Sequence, residues 1–261
     1  MLDKRATRLV LFAATVGAAA MSLPSPAAAA TTYVVGVEDI NYLPLYNTVN
    51  GQYTGVFRQI LDRFAADQGI KVTYLTLPVS RLDRRFVEGQ MDLHFPDNPD
   101  WITDLKRNVK VTYSQPVINY IDGTLVPRDQ LGKGVDRIQT IGTVLGFTPW
   151  AWEGRLKSGK AQLATNSDFL SLVQMVLANR LDAAYAGVAM ANYQLDQVLH
   201  KPGALVFDPS LPYQRSAYLL STTNHPELIA AFNKWMAGHQ SMLRDLKQKS
   251  GAEEGVTTAA K

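Results

Sequence analysis

KVTYLTL, residues 71–77, is an alternating β-rich run between two helical stretches, and it decides the fold. Ahead of it, Val56, Ile60, Leu61 and Phe64 recur at three- and four-residue spacing and give Tyr53 to Gln68 one apolar face. Gly69 ends that helix, because glycine adopts the left-handed conformation that commonly follows a last turn. Behind the run come a short helix, Ser80 to Glu88 closed by Gly89, and a strand, Met91 to Phe95. With YVVGV at 33–37 the order is strand, helix, strand, helix, strand, which is the order of parallel βαβ units.

The rhythm returns further along. Ile138 to Thr143 reads as a strand, Pro149 to Lys157 as a helix and Gln162 to Ala164 as a strand. Ser167 to Ala178 is a helix with Leu170, Val173 and Leu177 on one face; Leu181 to Tyr185 is a strand and Val188 to Leu199 a helix. Pro226 to Gln248 reads as one long terminal helix. Two extended runs, Ile118 to Val126 and Tyr213 to Ser221, separate these modules and predict two crossings between two lobes. The predicted fold class is α/β: two lobes, each a mostly parallel sheet flanked by helices, joined by two hinge crossings. Lobe 1 takes residues 31–120, lobe 2 takes 121–212, and 213–250 returns to lobe 1; residues 251–261, small and polar, read as a disordered tail. Ligands of open α/β sheets bind beyond the carboxyl ends of the strands.

Residues 1–30 stand apart. Lys4, Arg5 and Arg8 precede an apolar stretch from Leu9 to Leu23, and Ala27 to Ala30 closes it, which is the pattern of a secretory signal peptide. The apolar stretch falls short of the ~20 residues that span a bilayer. The 261 residues contain no cysteine, so neither a disulfide framework nor a lipid-attachment cysteine is available, and a periplasmic, untethered product is expected. Loss of the segment removes three basic residues against Asp3 alone and leaves the charges nearly balanced; with no basic stripe, neither nucleic acid nor membrane insertion is expected.

Five pieces, in order, resemble the family 3 extracellular solute-binding proteins, of the type II periplasmic fold. They are Tyr42-Leu43-Pro44-Leu45-Tyr46, the segment Asn50 to Val56, Arg81 with Glu88-Gly89-Gln90-Met91-Asp92, Tyr113-Ser114-Gln115-Pro116, and Leu181-Asp182-Ala183. The resemblance implies a monomeric binding protein, not an enzyme, without cofactor. It would capture a small polar, carboxylate-bearing, amino-acid-like solute and pass it to an inner-membrane ABC permease. Capture read by a receptor, or a periplasmic enzyme similar to cyclohexadienyl dehydratase, are the alternatives. It also implies that Arg107, six residues before Tyr113, holds the ligand carboxylate, although Asp104 and the stretch from Phe95 to Trp101 depart from the pattern. Gly187 stands where the resemblance places the acid that takes an α-ammonium.

The remaining candidates each have two readings. Tyr42 is either a stacking face for the ligand or a packed loop aromatic, and Trp101 likewise. Arg81 and Arg107 are either planar forks for a carboxylate or solvated charges. Asp97 and Asn98 could accept from an ammonium or hydroxyl, or could shape the turn between Pro96 and Pro99. Gly146-Phe147-Thr148-Pro149 either opens an anion-binding helix N-terminus or is an ordinary cap, with Phe147 flanking the ligand or lying in the core. His94, His200, His225 and His239 lack metal-ligand spacing, and no nucleophile motif is present.

Overall fold

A computed structural model describes residues 30–145 and 147–256. The expected signal peptide, apart from Ala30, lies outside the described residues, as do Gly146 and residues 257–261.

The chain opens with β1 (Thr32–Glu38), a hairpin of β2 (Asn47–Val49) and β3 (Gln52–Thr54), α1 (Val56–Gln68), β4 (Lys71–Leu77), α2 (Val79–Val87) and β5 (Leu93–Asp97). Strand β1 pairs in parallel with β4 on one side and β5 on the other, as the βαβ order requires. Val56, Phe57, Ile60, Leu61, Phe64 and Ala65 of α1 are buried, and Gly69 caps the helix with φ 66°. Gly55, just ahead of α1, has φ 100°, and a Cβ there would stand 2.4 Å from the Leu45 carbonyl oxygen, so only glycine lets the helix begin under the first loop.

Next come α3 (Thr103–Lys106), β6 (Thr112–Tyr113), and the first long crossing strand, β7 (Ile118–Pro127). The second module holds β8 (Thr140–Val144), α4 (Glu153–Lys157), β9 (Gln162–Asn166), α5 (Phe169–Leu177), β10 (Ala183–Gly187), α6 (Val188–Tyr193) and β11 (Leu205–Phe207). Strand β8 is parallel to both β9 and β10. Then β12 (Gln214–Thr222) crosses back to α7 (Pro226–Gly238) and α8 (Gln240–Ser250).

Strand β12 is shared. Its first half, Gln214 to Tyr218, pairs with β7, and its second half meets β5 at Leu219 and Ser221 and β6 at Ser221 and Thr222. The strand order is β4-β1-β5-β12-β7-β10-β8-β9. On the β5 side a large core gathers Val35, Phe57, Phe64, Phe95 and Phe232 and a small one Leu82, Phe86 and Met91; on the β10 side two cores gather Leu125, Leu172 and Ala186, and Ile141, Trp152 and Tyr185. Burying side chains of this size contributes about 1.5–3 kcal/mol each.

Several boundaries differ from the sequence reading, each for a local reason. The helix expected from Tyr53 begins at Val56, because Asn50 and Gly51, both at positive φ, turn β2 into β3 and take Tyr53 into the hairpin. The single terminal helix is two: it breaks at His239, whose φ of −120° no helix continues, with the His239 ring held by the Trp235 carbonyl at 2.8 Å. The expected tail is structured as far as Val256. Gly251 caps α8, Ala252 is fully buried, and the Glu253 carboxylate accepts from Asn119 N and Lys247 Nζ. Glu254 accepts from Asn192 on α6 at 3.1 Å, so these turns touch both modules.

Candidate functional site

The crossing strands meet at Asp122. It pairs across the ladder with Gly187, the last residue of β10, on one side and with Gln214, the first of β12, on the other. Asp122 is 8% exposed, and its Oδ1 has no hydrogen-bond partner among the described residues. Tyr42 arrives from the loop after β1, where it forms a bridge with Tyr46. Its hydroxyl lies 2.4 Å from where a Cβ on Gly187 would stand and is also buried without a partner, while Asp122 Oδ1 lies 3.6 Å from the same point. The Tyr42 ring packs against the cores of both modules. Two unsatisfied buried oxygens therefore converge over one glycine, where the two modules touch.

Aromatic rings surround this point. Tyr120 and Tyr218 stack with centroids 4.2 Å apart, and Trp101 meets Tyr218 edge-on at 6.0 Å. Burial, followed by the Asp122 charge, drives the hydroxyls of Tyr42, Tyr120 and Tyr185 to remain protonated; at Tyr218 burial leads, with the Tyr42 and Asp122 charges behind it. Burial alone pushes the Asp122 carboxyl up to about 7.

A second polar group lies at the carboxyl ends of β1 and β5. Asp97 is buried and accepts from Lys106 Nζ and Ser221 Oγ, both at 2.6 Å. Burial by itself would raise its carboxyl, but His94 and Lys106 hold it below the usual range. His94 Nδ1 is 3.6 Å from Asp97, too long for a hydrogen bond, and both ring nitrogens lack partners among the described residues. Glu38 accepts from Tyr46 Oη, and burial pushes its carboxyl up to about 6.

The expected site residues divide. Tyr42 and Trp101 lie at the ring cluster. Asp97 and Asn98 are satisfied from within: Asn98 donates to Ser216 Oγ and the Ala217 carbonyl and accepts from Asp100 N, which ties the end of β5 to β12. The carboxylate fork is not assembled. Arg107 is 73% exposed and paired with Asp104 at 2.6 Å, while the buried cation is its neighbour Lys106, already held by Asp97 and the Asn98 carbonyl. Arg81 is exposed on the first turn of α2. The anion-binding N-terminus also differs: Thr148 is exposed and its side chain caps nothing, a single 3-10 turn follows, and α4 begins only at Glu153. Phe147 faces Tyr185 at 6.1 Å and packs on a core.

Sequence reasoning passed over Asp122, although a carboxylate inside INYIDGTLV was its visible signal, since acids are almost never buried without a partner. Among the described residues no group of His, Asp or Glu is placed to hold a metal ion. Two surface cavities, of about 330 Å³ beside Asn233 and Lys247 and about 450 Å³ beside Arg155 and Tyr213, are not lined by Tyr42, Asp122 or Gly187.

The fold is that of the two-lobed periplasmic binding proteins. The chain is similar to substrate-binding domain 2 of GlnP from Lactococcus lactis, in its open conformation, at 17% identity and a TM-score of 0.61, covering 84% of this chain and 94% of that one. It is also similar to an ancestral amino-acid-binding protein that is a precursor of cyclohexadienyl dehydratase, at 22% identity and 0.62, covering 84% and 94%. A histidine kinase sensor domain gives 16% and 0.64, covering 85% and 96%. No protein-family model and no curated protein matches the chain. No helix among the described residues is long and apolar enough to cross a membrane.

Proposed function

We propose that this chain is a periplasmic solute-binding protein that closes two lobes on a small polar solute and presents it to an inner-membrane ABC importer. The observation that carries the reading is the Tyr42–Gly187–Asp122 contact. Polar groups left unsatisfied where two modules meet, between crossing strands, suit a cleft that a ligand completes. The fold shared with a substrate-binding domain of a Streptococcus pneumoniae protein assigned as an amino acid ABC transporter supports the delivery step. The amino-terminal segment supports export, and protein released by osmotic shock should begin near Thr31.

Binding rather than turnover is the proposed activity. A thermal-shift screen of small polar solutes tests it, since a ligand that binds only the folded state raises the melting point. A saturable shift, with the solute recovered unchanged after incubation, is expected. Conversion of the solute would replace the reading with the enzymatic one. A sensor domain shares the fold, so the same capture feeding a receptor is the second reading; solute uptake that survives deletion of the chain would favour it.

A further inference from the structure

We propose that the cleft recognises an organic cation that carries no carboxylate, with its ammonium taken by the Asp122 carboxylate and the Tyr42 hydroxyl. The inference rests on the solute-binding reading and specifies the ligand's chemistry.

Asp122 is a buried acid whose Oδ1 no donor meets, with Gly187 and Gln214 as its ladder neighbours. No positive charge contributes to the state of its carboxyl; burial is the whole cause of its upward shift. An acid in that condition binds a proton or awaits a cation. Tyr42 brings a second free oxygen to the same point, within 4 Å of the Gly187 Cβ position. With no side chain at Gly187 to separate them, both oxygens lie near one point, so an ammonium with two or more N–H donors approaching them meets one acceptor from a loop and one from a crossing strand. Tyr120, Tyr218 and Trp101 supply aromatic faces nearby, and such faces attract cations.

The other half of an amino-acid site is engaged elsewhere. Lys106 donates to Asp97 and to the Asn98 carbonyl, and Arg107 turns outward to Asp104. Neither offers a free fork to an anionic group. Asp97 is neutralised by Lys106 and does not compete for the ammonium.

The test is isothermal titration calorimetry on the secreted chain, unfolded and refolded to strip any carried solute. Putrescine, cadaverine and agmatine are the cations; arginine and glutamine the zwitterions; succinate the anion; glycerol the neutral solute. Saturable binding is expected in the cation set and at least roughly tenfold weaker binding elsewhere. Asp122→Asn should weaken the cation roughly ten- to a hundredfold with an unchanged circular dichroism spectrum. Tyr42→Phe should weaken it several-fold. A best ligand that is zwitterionic, anionic or neutral overturns the inference and leaves solute binding standing. Cation binding that Asp122→Asn does not alter also overturns it. Absence of binding by every probe overturns it too, and solute recovery from protein purified without refolding then shows whether the solute-binding reading survives.

Discussion

Asp122 and Gly187 face one another across the β7–β10 ladder, and Tyr42 closes over the gap that the glycine leaves. The three residues come from three separate stretches of chain, so the contact exists only when both modules are in place. Their mutual fit has consequences for variants.

Gly187→Ala should destabilise the protein. The new methyl would stand 2.4 Å from Tyr42 Oη, far inside contact distance, and overpacking of this kind costs about 1–3 kcal/mol. Tyr42→Phe removes an oxygen without a partner and should be close to neutral on its own. The double variant should recover most of the loss, because the clash is with that oxygen. Chemical denaturation of the four proteins measures the coupling; additive losses would show that the hydroxyl is not what the methyl meets.

The ligand-free protein should lose stability as pH rises from about 4 to 7. Asp122 goes from 3.8 to about 7 on folding and Glu38 from 4.5 to about 6, so in these windows the folded state keeps protons that the unfolded chain has released. Their contribution is most favourable at the acid end and is lost through the folded values. Asp97 runs the other way: held below 3.8 by His94 and Lys106, it adds stability above that value and loses it on further acidification. Unfolding free energies from denaturant titrations between pH 4.5 and 8 should therefore fall toward neutrality by up to about a few kcal/mol. Asp122→Asn should flatten most of the slope.

Lys106 and Arg107, one residue apart, should behave as opposites. Lys106→Ala leaves buried Asp97 without its hydrogen-bonded ammonium and should cost about 3–5 kcal/mol. Arg107→Ala removes an exposed pair and should change stability by no more than about 0.5 kcal/mol, with solute affinity unchanged. Melting curves and titrations on the two variants check this; a large loss of affinity in Arg107→Ala would restore the fork to the cleft.

That reversal shows where the sequence was legible. KVTYLTL is a strand over the residues read, and the two crossing runs differ from β7 and β12 by a residue at their ends, because period and composition act locally. The place of Tyr42 in the first loop was legible, though not that the loop carries its ring onto the cores of both modules. Lys106 and Arg107 were not separable, since one step along a helix turns the side chain by about 100°, and the direction here is set by Ile102, whose left-handed φ of 45° starts α3. Asn50-Gly51 carried a hairpin signal that the helical spacing around it obscured. Asp122 was masked by β-branched and aromatic neighbours, and its isolation depends on strands from elsewhere in the chain.

The turns at 251–256 join α8 to the start of β7 through Glu253 and to α6 through Glu254. Side-chain hydrogen bonds from these turns thus clip the joint that the two covalent strands make. Under the closure proposed above, parting the modules would lengthen the Asn192–Glu254 contact, so the balance between open and shut forms would depend partly on a stretch remote from the solute.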